Sequence, residues 1–241
     1  MHAPFLIVET GQPVVSMRRH GSFAHWIRVA AGLDADAAVI CRVADGEALP
    51  RRDGYAGVLV TGSAAMVTER RDWSERSARW LRDAAHDDVP LFGICYGHQL
   101  LAHALGGEVG DNPAGREMGT VALALQPHAS GDALFAGLPA AMPAQVTHLQ
   151  TVVRAPDDAT VLATSQQDDC HAFRWRNHVW GVQFHPEFST RHMRGYLRAR
   201  CEALAGEGHC HKRLARDVSA TPHARSVLRR FVRHARSLRA R

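Results

Sequence analysis

The segment Pro90-Leu91-Phe92-Gly93-Ile94-Cys95-Tyr96-Gly97-His98-Gln99-Leu100-Leu101-Ala102-His103-Ala104-Leu105-Gly106-Gly107 decides how this chain is read. It opens as an apolar strand and closes as a short helical pattern, and Gly93-Ile94-Cys95-Tyr96-Gly97 joins the two in one sharp turn. Such a turn lifts one side chain clear of the backbone. Gly93 and Gly97 take away the Cβ atoms that would collide across it. A cysteine at the end of a buried strand is most often an inert small hydrophobe. Cys95 also stands at a helix N-terminus, where unpaired N–H groups and the dipole favour a thiolate, so it reads as a nucleophile.

A partner for that thiol appears far downstream, in Val179-Trp180-Gly181-Val182-Gln183-Phe184-His185-Pro186-Glu187. Side chains two apart on an extended segment share a face, so His185 and Glu187 lie together, and Pro186 pins the turn between them. A thiol needs a base, and the base needs an orienter. His185 takes the proton, while Glu187 fixes the imidazole tautomer and steadies its charged form.

Together the two segments resemble a class I, triad-type glutamine amidotransferase domain, with the greatest similarity to the glutaminase domain of GMP synthase and its free-standing relatives. A Gly-x-Cys-x-Gly run alone is shared with other cysteine hydrolases; the His-Pro-Glu run separates them. The resemblance covers roughly residues 4–190. It implies a catalytic triad of Cys95, His185 and Glu187 acting on the γ-carbonyl of glutamine or a γ-glutamyl compound through a thioester, with no cofactor.

Further residues follow from the same resemblance. Tyr55-Ala56-Gly57-Val58-Leu59-Val60-Thr61-Gly62-Ser63 reads as a strand entering a turn at the sheet edge where Cys95 should emerge. The family implies an oxyanion hole made by the Gly62 and Tyr96 N–H groups. The family commonly continues this loop with proline, whereas Ala64-Ala65-Met66 stands here, and a plain strand-to-loop turn is the other reading. Gln99, one helical turn past Cys95, is implied to hold the glutamine head; a helix amide facing solvent is its alternative. His148 occupies a strand position that relatives place close to the site, though a lone histidine there also reads as structural.

Around these motifs, Phe5 to Glu9, Ala37 to Val43, Gly57 to Thr61 and Pro90 to Cys95 read as buried strands, with helical patterns from His25 to Leu33 and from Trp73 to Ala85. Gly119 to Leu125, Gln145 to Val153, Thr160 to Thr164 and His171 to Trp175 continue as strands, with Pro127 to Pro143 as a polar connection. The alternation predicts an α/β fold with a doubly wound, mostly parallel, flavodoxin-like sheet and the site at the carboxyl ends of its strands. A chain of 241 residues, 46% hydrophobic, is expected to form a single domain over 1–241: a catalytic core at about 4–190 and a basic helical extension at about 191–241.

That extension carries 14 Lys plus Arg against three Asp plus Glu. Its Val227, Leu228, Phe231, Val232, Ala235 and Leu238 recur at helical spacing, which predicts a helix packed on the body with a solvated arginine face rather than a nucleic-acid surface. Lys212 is the only lysine, so the chain has neither a Gly-Lys-Ser/Thr phosphate loop nor Schiff-base chemistry, and no Ser-Gly-Gly-x-Asp-Ser run supplies an ATP-using synthetase. Five scattered cysteines make no disulfide framework. His209-Cys210-His211 does not converge on one ion from regular structure, so no metal site is expected.

Apolar stretches fall short of the ~18–20 residues that span a bilayer, and Met1 to Glu9 reads as a first strand, so a cytoplasmic location is expected. Three functions remain open. The first is a glutaminase giving ammonia to a synthetase on a separate chain. The others are a free-standing hydrolase or transpeptidase of γ-glutamyl amides or peptides, and a non-catalytic domain of the same fold.

Overall fold

The computed structural model describes residues 3–239. The early strands are short and apolar: β1 Phe5–Val8, β2 Ala38–Cys41, β3 Gly57–Val60 and β4 Leu91–Ile94. Strands β1, β3 and β4 are fully buried between two helical layers, whereas β2, at the sheet edge, is only partly buried and leaves Val39 exposed. They alternate with α1 Phe23–Ala31, α2 Asp72–His86 and α3 Tyr96–Ala104. Ser22 caps α1 by accepting from the His25 N–H at 3.3 Å, and Gly32 ends it at φ 73°.

The second half adds β5 Glu108–Asp111, β6 Glu117–Leu125, β7 Ala141–His148, β8 Gln150–Arg154, β9 Ala159–Thr164, β10 Ala172–Trp175 and β11 Val179–Val182. The chain then closes with α4 Thr190–Ala199, α5 Cys201–Gly206, α6 His211–Arg216 and α7 Pro222–Arg239.

One nine-stranded sheet runs in the order β2-β1-β3-β4-β11-β10-β9-β6-β7. Its first five strands are mutually parallel, and the rest add antiparallel ladders. Alternation along β1 sorts the core: Phe5 and Ile7 face α1 and α7, with Ile27, Leu228 and Phe231, while Leu6 and Val8 face α2 and α3, with Leu81, Leu100 and Leu101. Helices on both faces make the doubly wound arrangement expected from the sequence. Val227, Leu228, Phe231, Val232 and Ala235 of α7 are all buried, so the apolar stripe of the basic extension is core.

Two expectations need correction. The run Gln145 to Val153 is not one strand: the chain leaves the main sheet at Leu149, where β6 stops pairing with β7, and β8 joins β5 in a separate two-stranded sheet. A strand-like run of residues does not show a change of pairing partner. The connection Pro127 to Pro143 is not simply polar either. Its buried Asp132 accepts from the Leu134 N–H at 2.8 Å and pairs with Arg174, anchoring Leu134 and Phe135 in the core, and its end is the start of β7. The expectations for Met1 and His2, and for Ala240 and Arg241, lie outside the described residues.

Candidate active site

The carboxyl ends of β3, β4 and β11 lie side by side in the parallel half of the sheet, the edge at which open α/β sheets place their sites. Cys95 follows β4 directly, at φ 52° and ψ −104°. A non-glycine residue pays about 1–3 kcal/mol to sit in such a region, and the surroundings must enforce it. Here they do. The Cys95 N–H donates to Val182 O at 2.8 Å and the Gly97 N–H to Thr61 O at 3.1 Å, stitching the turn to both neighbouring strands. A Cβ on Gly97 would come within 2.5 Å of Val60 O, and one on Gly93 would strike the Gly97 carbonyl. The two glycines are therefore needed for close approach, as the sequence suggested.

His185 lies just past β11, its N–H tied to Gln145 O of β7 at 2.8 Å and its ring stacked on Phe188 at 4.2 Å. Its Nδ1 meets Glu187 Oε1 at 2.7 Å, with both side chains buried. Burial presses its pKa down, but the Glu187 charge and the Cys95 sulfur outweigh this and raise it to about 10. Nε2 has no protein hydrogen-bond acceptor or donor of good geometry and is turned toward the cysteine side of the cleft. Gly62 sits between the two: a Cβ there would be 3.2 Å from His185 Cε1 and 3.7 Å from Cys95 Cβ. The structure thus brings Cys95, His185, Glu187 and Gly62 together.

The loop bearing Gly62 is held by a contact without any signal in the sequence. Buried Thr10 donates its N–H to Thr61 Oγ1 (3.0 Å) and its hydroxyl to Gly62 O (3.1 Å). The Gly62 N–H and the Tyr96 N–H make no hydrogen bond among the described residues, at the sheet edge beside Cys95. Two unpaired N–H groups next to a thiol are the geometry that accepts a developing oxyanion.

Gln99 is buried beside the cleft, and its amide nitrogen donates to Gln150 O (2.7 Å) and Gln183 Oε1 (2.8 Å), so the solvent-facing reading of Gln99 does not hold. His148 also borders the cleft, yet both ring nitrogens have protein partners: Nδ1 with Gln150 O at 3.0 Å and Nε2 with Glu117 Oε2 at 2.9 Å. Glu117 meets His171 at 2.8 Å as well. Glu117, His148 and His171 are the one group of three potential metal ligands among the described residues. Their atoms stand at direct hydrogen-bond distances, which gives the group a structural reading.

Two clefts flank Cys95. A small one of about 80 Å³ runs past Tyr96, Gln99 and Gln150; a larger one of about 280 Å³ lies on the His185 side. Arg200 borders both, from the end of α4. Tyr196 and Arg200 escape a reading of the sequence, because they belong to the basic extension and carry no motif. Packing alone places them: α4 presses on the turn Val15–His20 so closely that a Cβ on Gly195 would strike the Met17 side chain.

The sequence matches the family described as glutamine amidotransferase class-I over residues 16–202. It is 37% identical over 142 residues to a glutamine-hydrolyzing GMP synthase of Aeropyrum pernix, covering 59% of this chain and 25% of that protein. It therefore spans about a quarter of the length of the full GMP synthases it matches first. A protein of Methanopyrus kandleri named as one subunit of a glutamine-hydrolyzing GMP synthase is 32% identical, covering 72% of this chain and 88% of its own. Gamma-glutamyl peptidase 5 of Arabidopsis thaliana is 26% identical, with 76% and 75% covered. Among solved structures, a glutamine amidotransferase of Thermotoga maritima superposes with a TM-score of 0.78 at 20% identity, covering 98% of this chain and 99% of that one. Among the described residues no helix is long and apolar enough to cross a membrane.

Proposed function

The chain belongs to the class-I glutamine amidotransferase family, and on that premise we propose that it hydrolyses the γ-amide of glutamine through a Cys95 thioester, the ammonia passing to a separate synthetase chain. The observation that carries this reading is the strained elbow at Cys95 facing a buried His185–Glu187 pair at 2.7 Å. Cys95 Sγ attacks the γ-carbonyl carbon, and the oxyanion is held by the Gly62 and Tyr96 N–H groups. His185 gives a proton to the leaving nitrogen as the C–N bond breaks. It then takes one from the water that cleaves the thioester, releasing glutamate and restoring the thiolate–imidazolium pair. Glu187 orients the ring. Gln99 and His148 shape the wall behind the glutamine head through Gln150, to which both are hydrogen-bonded. The chemistry uses no cofactor, and the C-terminal helices belong to the same domain.

The supply of ammonia to a partner is supported by the similarity to a protein named as part of a synthase. A second reading, a free-standing hydrolase of γ-glutamyl amides, is favoured by the size of the cleft on the His185 side, since ammonia leaves without needing about 280 Å³. The test common to both is labelling by a glutamine-like chloroketone: Cys95 should be alkylated and Cys41, Cys170, Cys201 and Cys210 spared, with hydrolysis lost in step. Labelling elsewhere with loss of activity would overturn the assignment.

A further inference from the structure

Both clefts carry two arginines and no carboxylate; what sets the larger one apart is that its arginines are unpaired. Arg18, from the turn Val15–His20, and Arg200, from the end of α4, both line it, together with the apolar Pro13, Val14 and Phe23 and the hydroxyl of Tyr196. No Asp or Glu lines it. Arg116, next along, is neutralised by Glu207 at 2.8 Å, but Arg200 and Arg18 have no carboxylate partner among the described residues. Arg18 only donates Nε to Pro13 O at 3.0 Å. Arg200 is half-buried, and its Nε is shielded from solvent without any hydrogen bond. Burial and the Arg116 charge lower its pKa, against smaller upward pulls from Tyr196, Cys95 and Glu207. A partly desolvated guanidinium is costly unless an anion meets it, and its planar fork matches a carboxylate.

The position of this wall relative to the chemistry sets what the anion belongs to. His185 hands its proton to the departing nitrogen, so the substituent on that nitrogen lies on the His185 side, in the cleft that Arg18 and Arg200 share with it. We infer that this cleft is a leaving-group subsite, and that its occupant is an amine bearing a carboxylate: an amino acid or short peptide joined to glutamate through the γ-amide. The inference rests on the Cys95–His185 chemistry proposed above and deepens its second reading, the free-standing hydrolase. In the step concerned, the Cys95 Sγ–carbon bond forms and the carbon–nitrogen bond breaks. The amine leaves with the proton from His185, and water then replaces sulfur on the carbonyl carbon, its proton returning to His185.

The experiment uses the intact chain and compares γ-glutamylglycine with γ-glutamyl-ethylamide, which carries a methyl group where the glycine compound has its carboxylate. Two readouts run in parallel: kcat/KM in the parent, and Kd in Cys95→Ala, which binds without turning over. In both, the glycine compound should be favoured by about tenfold or more, the range expected for a hydrogen bond to a charged group. In Arg200→Gln and in the exposed-site variant Arg18→Gln that ratio should fall toward one. A ratio near one in the parent, or one that survives both substitutions, overturns the subsite. So does an Arg200→Gln variant that slows both compounds equally, because Arg200 would then act through the Cys95 thiolate. The two proposals fail separately: absent turnover with a preserved Kd ratio removes the hydrolase and keeps the subsite, whereas turnover without a ratio does the reverse.

Discussion

The protein buries histidine–carboxylate contacts in two places, and they have different fates. At the sheet edge His185 meets Glu187 at 2.7 Å; on the antiparallel side His148 and His171 meet Glu117 at 2.9 and 2.8 Å. Side-chain types, distances and burial are nearly the same. The difference lies in what surrounds the pair. His185 has one nitrogen on Glu187 and the other turned toward a strained cysteine, so its proton has somewhere to go. His148 has its second nitrogen on Gln150 O, and Glu117 also accepts from Ser165 Oγ at 2.6 Å, so both His148 nitrogens and the carboxylate are already engaged. Proximity of base and acid is thus insufficient for chemistry; an uncommitted atom facing a reactive partner is also required.

The most severe way to break the contrast is to remove the partner. Cys95→Ala should lower hydrolysis of glutamine or a γ-glutamyl amide by about 10⁴-fold or more, comparable to loss of the nucleophile in a serine-protease triad. Its circular dichroism should match the parent, since Ala keeps the Cβ that the turn already accommodates. Substantial turnover by the folded variant would remove Cys95 from the mechanism.

The next substitution keeps the thiol and changes its support. His185→Ala should approach the loss seen for Cys95→Ala. Glu187→Gln should cost less, on the order of 10²-fold, because it weakens tautomer control and charge stabilisation while the proton acceptor stays. Steady-state assays of the three variants read the order directly. Equal rates for parent and both His185→Ala and Glu187→Gln would sink the assignment of roles.

Glu117→Gln applies the same chemical change to the other pair and should show the opposite balance. It removes the charge on which two buried histidines and Ser165 converge, so the cost falls on stability, about 3 kcal/mol by the usual size of a broken buried ion pair. Urea unfolding measures that loss, and kcat/KM per folded molecule should fall far less than in Glu187→Gln. If activity dropped as far while stability held, the Glu117 group would belong to the reaction.

The sequence showed one of these regions and hid the other, for a physical reason. Gly93-Ile94-Cys95-Tyr96-Gly97 and His185-Pro186-Glu187 are local signals, each readable because a single turn forces neighbouring residues into one arrangement. The stripe Val227 to Ala235 was legible in the same way, since helical periodicity places those side chains on one face. Glu117, His148 and His171 come from three segments, brought together by strand pairing that periodicity does not specify. Arg18 and Arg200 are equally remote in sequence and line one cleft only because α4 packs on the turn Val15–His20. The break between β7 and β8 was invisible for a related reason: alternation marks a strand and does not name its neighbour.

The mildest test leaves both regions intact and moves only the pH. Glu117 is drawn upward by burial, but the hydrogen bonds from His148 and His171 win and hold its pKa below the usual 4.5. A carboxylate with a lowered folded pKa stabilises above its unfolded value and loses that contribution as the pH falls. His185 is raised from 6.5 to about 10, so its contribution is complete below pH 6.5 and disappears as the pH climbs toward 10. The two regions should therefore weaken at opposite ends of the scale. Unfolding free energies of parent and Glu117→Gln should differ at neutral pH and converge below pH 4.5, whereas parent and His185→Gln should differ at pH 6 and converge toward pH 10. Convergence of both differences at the same end would mean that the two pairs share one charge environment, and the contrast between a committed and an uncommitted histidine would lose its electrostatic basis.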